Sequence, residues 1–264
     1  MPIPIFQVDA FTSQLFRGNP AAVCPLQEWL PDVQMQQIAA ENNLSETAFF
    51  VPLPDDNAFQ IRWFTPLTEV DLCGHATLAA AHVIYNHLMY PAHELLFLSE
   101  SGELNVYRDA QKPENLTLDF PAQPTEPVDS SVDLLEAMGK EPLEVRKGKD
   151  MLLRYRKESD VRTLSPDFEK LKTLDVRGII ATAPGDTVDF VCRFFAPRVG
   201  VDEDPVTGSA FTKLVPYWFK ELKKRKFRAW QLSKRGGELF CELQTGRVRI
   251  SGNAVTFMQA HLLI

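Results

Sequence analysis

Short apolar runs rich in β-branched, aromatic and leucine residues, each bounded by glycine, proline or aspartate, recur along the first half of the chain. They predict strands over residues 3–9, 48–52, 59–64, 95–98, 103–108 and 116–120. Helical patterns fit residues 31–42, after "EWLPD", and 76–88, where "ATLAAAHVIYNHL" is strongly helix-forming. The segment "FPAQPTEPVDSS" at 120–131 carries spaced prolines among polar residues and reads as a linker. A second β-rich half follows, with strands expected at 143–147, 151–156, 177–182, 188–195, 228–232, 238–244 and 247–250. Its helices are expected near 131–139, 166–173 and 207–224. The apolar tail at 254–264 needs a sheet to join. The pattern therefore predicts an α/β protein of two lobes, 1–117 and 118–253, with 254–264 returning to the first.

The two halves share a motif. "RWFTPLTEVD" at 62–71 and "RFFAPRVGVD" at 193–202 match without a gap at an offset of 131 (193 − 62). Each then runs through a glycine into an apolar helix, "LCGHATLAAA" in one half and "EDPVTGSAFTKL" in the other, the second three residues longer before its glycine. This is read as a duplicated strand–loop–helix unit, giving similar lobes related by an approximate two-fold axis; two unrelated loops sharing "FxP" are the alternative.

Composition narrows the class. With 264 residues, 45% of them apolar, the chain has material for one large core or two modest ones. Its net charge of −7 argues against a nucleic-acid partner, which needs a basic surface. The one basic run, "KELKKRKFR" at 220–228, is expected to end a helix, where cations suit the dipole. No uncharged apolar run approaches the roughly 20 residues of a membrane helix. The N-terminus lacks the pattern of a secretory signal, so a cytoplasmic location is expected. Four widely spaced cysteines predict free thiols.

Candidate chemistry lies at the helix starts after the duplicated motif. A helix N-terminus presents unsatisfied N–H groups and a positive dipole end, and glycine lets a ligand approach them. Gly74 with His75, and Gly208 with Ser209, are placed to hold the carboxylate of a small organic acid from both lobes. In the alternative reading glycine only makes the turn, and Asp204 caps the second helix with Pro205 at its first position. A metal site is not expected: His75 and His82 share a helix face but stand about 10.5 Å apart along the axis, and no zinc or calcium motif is present. Dinucleotide and P-loop motifs are also missing, so no cofactor is expected.

At these loops the chain resembles the PhzF family of phenazine-biosynthesis-like isomerases. The resemblance covers "DAFTSQLFRGNPAAVC" at 9–24, "LSETAFF" at 44–50, the two duplicated segments through 62–81 and 193–210, and "LSKRGGEL" at 232–239. It implies the diaminopimelate-epimerase-like fold, in which each lobe is a mixed β-sheet or barrel curled around a central helix. It also implies a homodimer and a cofactor-independent isomerase. Glu46 would move a proton between carbons of a small carboxylate-bearing ring or unsaturated acid, such as a hydroxylated dihydroanthranilate-type ring. His75 and Asp204 would assist, while Asn19, Cys73, Gly74, Gly208 and Ser209 would bind the substrate. On its residues alone Glu46 is an ordinary acid at a strand start. Phe211 departs from the family pattern, which places a histidine there. Cys73 occupies the position of a catalytic thiol in racemases and epimerases of this fold, but "EDPVTGSA" offers no partner cysteine. A Cys73-dependent racemase, epimerase or dehydratase, and a non-catalytic small-acid-binding protein, are the competing readings.

Overall fold

Helix 74–86 buries residues on nearly every face, so it needs a sheet that bends around it rather than one that lies under it. That requirement organises the computed structural model, which describes residues 2–54 and 57–264. The chain divides into two compact units: the described residues up to Asp119 together with Ser251–Ile264, and Phe120–Ile250.

The first unit contains β1 (Ile3–Ala10), β2 (Asn19–Pro25), α1 (Asp32–Asn42), β3 (Glu46–Pro52), β4 (Ala58–Phe64), β5 (Glu69–Val70), α2 (Gly74–Asn86), β6 (Glu94–Ser99), β7 (Gly102–Arg108) and most of β8 (Asn115–Pro121). β2 pairs antiparallel with β1 and parallel with β3; β4 pairs antiparallel with β3 and β5 and parallel with β6; β7 joins β6 to β8. Helix α2 packs against β1, β2 and β3. Its Leu78, Val83 and Ile84 are fully buried, each contributing roughly 1.5–3 kcal/mol of apolar burial. Helix α1 covers the opposite side, where Met35 and Ile38 meet Ile5, Phe49 and Phe64.

The second unit contains β9 (Glu126–Pro127), α3 (Val132–Met138), β10 (Glu144–Lys147), β11 (Met151–Arg154), α4 (Glu158–Arg162), α5 (Phe168–Thr173), β12 (Ile179–Pro184), β13 (Phe190–Ala196), a 3-10 turn at Pro197–Val199, β14 (Val201–Asp204), α6 (Gly208–Leu222), β15 (Lys226–Gln231) and β16 (Gly237–Leu243). Its pairing repeats that of the first unit. β11 is antiparallel to β10 and parallel to β12; β13 is antiparallel to β12 and β14 and parallel to β15; β16 is antiparallel to β15. The last strand, β17 (Arg247–Leu262), contributes its Ser251–Leu262 portion to the first unit, antiparallel to β1.

The topological repeat refines the sequence match. Arg62 holds Glu69 through Nε and Nη2 (2.7 and 2.6 Å), and Arg193 holds Glu203 in the same way (2.7 and 2.8 Å). Those acids, like Gly74 and Gly208, are related by 134 (203 − 69; 208 − 74). The three extra residues therefore enter at the turn Pro197–Val199, whose C-cap Gly200 has φ 90°. The matches Val70/Val201 and Asp71/Asp202 are out of structural register, while Arg62/Arg193, Phe64/Phe195 and Pro66/Pro197 are in it.

Other expectations are corrected. Strand β2 went unrecognised because it opens with Asn19-Pro20 and is alanine-rich; pairing on both edges makes it a strand. Strands 247–250 and 254–264 are one continuous element. The expected linker at 120–131 contributes the end of β8 and all of β9, which pairs with β10. The basic run ends α6 only with its first part: Lys220 lies in the last turn and Lys223 is the left-handed C-cap, while Lys226–Arg228 belong to β15.

Candidate active site

In the first unit five side chains meet where β2, β3 and α2 begin. Asn19 is the first residue of β2 and is fully buried. It follows Gly18, whose φ of 64° and close packing exclude a side chain: a Cβ there would stand 2.1 Å from the carbonyl oxygen of Ala10. Glu46 opens β3, opposite Ala21 of β2, with its side chain 18% exposed. Cys73 precedes α2, and His75 is that helix's second residue, buried with it.

Their polar atoms form a chain. Ser45 Oγ donates to Asn19 Oδ1 (3.4 Å), and Asn19 Nδ2 lies 3.2 Å from His75 Nδ1. The other ring nitrogen, Nε2, stands 3.2 Å from Glu46 Oε2. Cys73 Sγ lies 3.4 Å from Nδ1. Burial pushes the His75 pKa down to about 3, so the ring is neutral at pH 7. The imidazole thus joins a buried amide and thiol to a partly exposed carboxylate. The donor atoms of Glu46, Cys73 and His75 lie within 4.8 Å of one another. However, the ring turns one nitrogen to the thiol and the other to the carboxylate. That geometry suits proton traffic better than one shared ion, for which all three donors must aim at a single point. Thr77 Oγ1 donates to the Cys73 carbonyl (2.6 Å), steadying the helix start where the N–H groups of Gly74 and His75 open.

In the second unit Asp204 ends β14 rather than capping α6. The N-cap is Thr207, without a side-chain cap bond, and the helix starts at Gly208, not at Pro205. Asp204 Oδ2 accepts from Thr207 Oγ1, and Gln231 bridges the same turn, donating to the Asp204 carbonyl (2.7 Å) and accepting from Thr207 N–H (2.9 Å). Ser209 Oγ lies 3.4 Å from Arg177 Nη2, and its carbonyl accepts from Lys213 Nζ (3.1 Å). Asp150 lies beneath, its side chain fully buried, accepting from Arg177 Nε and Nη2 (2.7 and 2.6 Å) and 3.1 Å from Lys213 Nζ. Ser45, Asp150, Arg177 and Lys213 escaped the sequence reading. A lysine inside the otherwise apolar "SAFTKLVPYW" was the one visible signal. Phe211 is fully buried against Phe190, with ring centroids 6.0 Å apart, and so belongs to the core of its unit.

The histidines outside this group have structural partners or lie at the surface. His82 and His87 both bond Thr256 Oγ1 (2.9 and 2.7 Å). The four cysteines are buried and none forms a disulfide; burial raises the thiol pKa of Cys24, Cys192 and Cys241.

Residues 8–260 match the phenazine biosynthesis-like protein family, PhzC-PhzF. The chain belongs to that family. An uncharacterized isomerase of Pseudomonas aeruginosa is 52% identical over 256 residues, covering 97% of this chain and 96% of that one. A crystal structure of a PhzF-family protein from Enterococcus faecalis superposes with a TM-score of 0.96 at 44% identity, over the whole of both chains. A hydroxyproline epimerase from Agrobacterium vitis shares the fold alone, with a TM-score of 0.65 at 10% identity over 99% of this chain and 93% of that one. The protein is therefore a PhzF-like member of a family with relatives named isomerases, with an epimerase-like α/β fold. Among the described residues no helix is long and apolar enough to cross a membrane.

Proposed function

We propose that the protein is a cofactor-independent isomerase that moves a proton between two carbons of a small carboxylate-bearing ring or unsaturated acid, with Glu46 as the proton carrier. The observation that carries this reading is the 3.2 Å approach of the buried His75 Nε2 to the buried Oε2 of Glu46, whose side chain is otherwise partly exposed. The pair is in contact without hydrogen-bond alignment, so a neutral ring beside the carboxylate orders it as a base without supplying a full positive charge. Glu46 takes a proton from one carbon, and the electron pair it leaves is delocalised toward the substrate's conjugated acid. The same carboxyl returns the proton to another carbon, so the step is redox-neutral and consumes nothing. The N–H groups at the start of α2 are suited to the substrate carboxylate. A supporting role for Asp204, Gly208 and Ser209 rests on the family resemblance and on the duplication of the helix start. A homodimer is part of the same reading.

The test is Glu46→Gln, which preserves shape and removes the shuttle. With a hydroxylated dihydroanthranilate-type acid as probe, binding should survive. Turnover and solvent-deuterium incorporation should fall by about 10²–10⁴-fold or more. A variant within a few fold of wild type would end the Glu46 mechanism. A second reading is favoured by the Cys73 thiol 3.4 Å from His75 Nδ1, an arrangement that can activate a cysteine. Cys73→Ala abolishing turnover while Glu46→Gln retains it would select that reading.

A further inference from the structure

The ring of His75 can carry its single proton on either nitrogen, and the two forms have opposite consequences for Glu46. With the proton on Nε2, the ring turns its N–H side to Glu46 Oε2, a 3.2 Å contact outside hydrogen-bond alignment that favours the carboxylate electrostatically. With the proton on Nδ1, a lone pair faces that oxygen at 3.2 Å, and only a protonated Glu46 can satisfy it. Which form is present decides whether the resting enzyme holds a base or an acid.

Two features on the Nδ1 side bear on the choice. The Asn19 amide is oriented by Ser45, whose hydroxyl donates to Oδ1 and so turns Nδ2, a donor, toward Nδ1 (3.4 and 3.2 Å). Cys73 Sγ approaches the same nitrogen (3.4 Å), and its S–H is also a donor. The Asn19 amide nitrogen can only donate, whereas the Cys73 sulfur can donate or accept, so the amide makes Nδ1 the bare nitrogen. Asn19 and Cys73 are buried and Ser45 is half-buried. In that setting a mismatched donor is left as an unsatisfied buried group, enough to bias the tautomer ratio by about one to two orders of magnitude.

We infer that Ser45 and Asn19 are positioning residues: the directed chain Ser45→Asn19→His75→Glu46 locks His75 as the Nε2–H tautomer, so that the resting enzyme presents Glu46 as the base. Asn19 acts through the histidine and is not assigned a substrate contact. The consequence for rate rests on Glu46 being the proton carrier; the tautomer itself does not.

The experiment uses the full chain labelled with ¹⁵N-histidine and examined by ¹H–¹⁵N correlation at pH 6–8. The His75 signals are assigned by their loss in His75→Asn. Wild type should show protonated Nε2 and bare Nδ1. A wild-type Nδ1–H tautomer, or a ring that exchanges freely between the two, would overturn the inference before any variant is made. Asn19→Asp replaces the donor with an acceptor and should bring a proton to Nδ1. An unchanged Nδ1 signal in that folded variant would also overturn it. With the dihydroanthranilate-type probe, Asn19→Asp should lower kcat about 10–100-fold, the usual effect of losing a group that orients a ligating or catalytic histidine. Ser45→Ala should lower it less, because the amide is then only loosened. If Asn19→Asp moves the tautomer but leaves kcat at the wild-type value while Glu46→Gln is inactive, the positioning role fails and the Glu46 mechanism stands. If the tautomer behaves as stated but Glu46→Gln stays active, it is the proposed function that fails.

Discussion

Asp150 and Lys213 form the most deeply buried ion pair of the second unit, with side chains 0% and 1% exposed and Nζ 3.1 Å from Oδ2. At an effective dielectric of about 20 that separation corresponds to roughly 5 kcal/mol of attraction, set against several kcal/mol for desolvating each ion. The partners are not equivalent, because Asp150 also has two bonds from Arg177, whose side chain is 35% exposed. Lys213→Met therefore leaves Asp150 paired and should cost no more than about 2 kcal/mol. Asp150→Asn leaves a buried ammonium without its counter-ion and should cost about 3–5 kcal/mol. The amine has one escape, which is to lose its proton. Bringing a lysine from its ordinary pKa near 10.4 to neutral form at pH 7 costs about 4.6 kcal/mol, and about 1.9 at pH 9. In Asp150→Asn the folded-state pKa of Lys213 is depressed while the unfolded value stays near 10.4. The unfolded state then binds the extra proton in that window, and the variant regains stability as pH rises from 7 to 10. Urea unfolding of both variants and wild type at pH 7 and pH 9 reads this directly. Equal losses for the two variants at pH 7, or an Asp150→Asn defect that does not shrink at pH 9, would refute the reasoning.

Gly18→Ala should be strongly destabilising, since its Cβ would meet the Ala10 carbonyl at 2.1 Å in a left-handed backbone. Because Asn19 follows directly, any folded Gly18→Ala protein should also lose turnover more than Ser45→Ala does. His82, pushed down to about 4 chiefly by burial and also by His87 and Arg108, binds a proton in the unfolded chain near 6.5 but not in the folded one until about 4. It should therefore cost up to about 1.4 kcal/mol of stability per pH unit as pH falls through that window. His82→Gln should flatten the fall in urea midpoint between pH 6.5 and 5. Sedimentation at micromolar concentration should give a dimer, a monomer overturning that expectation; exposed Leu15, Phe16, Phe257 and Met258 give the first unit an apolar surface to cover.

The elements that periodicity made legible are those whose own side chains decide their state. Helix α2 is apolar nearly all round and α6 has an apolar stripe, β4 alternates polar with apolar residues, and β13 is a nearly continuous apolar run rich in phenylalanine. What escaped was set by distant partners. Gly252 reads as a strand break, yet β17 runs through it. The glycine is there because a Cβ would stand 2.6 Å from Phe11, itself held at φ 61°. Pro20 and three small residues disguise β2, whose identity comes from its two neighbours. At the site, the helix-start glycines were visible as sequence. The Ser45–Asn19–His75–Glu46 chain was not, because it joins residues up to 56 apart through side-chain atoms that no local pattern encodes.

The duplication itself shows why one unit holds an acid at this place and the other does not. By register, Thr47 opposes Phe64 as Ile179 opposes Phe195, so the counterpart of Glu46 is Gly178. A Cβ at Gly178 would stand 2.3 Å from the Phe194 ring, so the second unit has no room for an acid at that place without repacking its core. The same register sets Asp150 against Ala21 and Arg177 against Ser45, while the offset of 134 sets Ser209 against His75. Where the first unit has a neutral chain ending on a carboxylate at 18% exposure, the second has a charge cluster closed on itself, Asp150 with Arg177 and Lys213, beneath the helix start. Both units keep the Arg–Glu clamp and the glycine that opens a helix N-terminus, the parts that shape a backbone for an anion. Only the first has the Ser45–Asn19–His75–Glu46 chain. Under the proposed function a single carrier would then both remove and return the proton, which suits an isomerisation that shifts hydrogen within one molecule rather than exchanging it between two opposed bases.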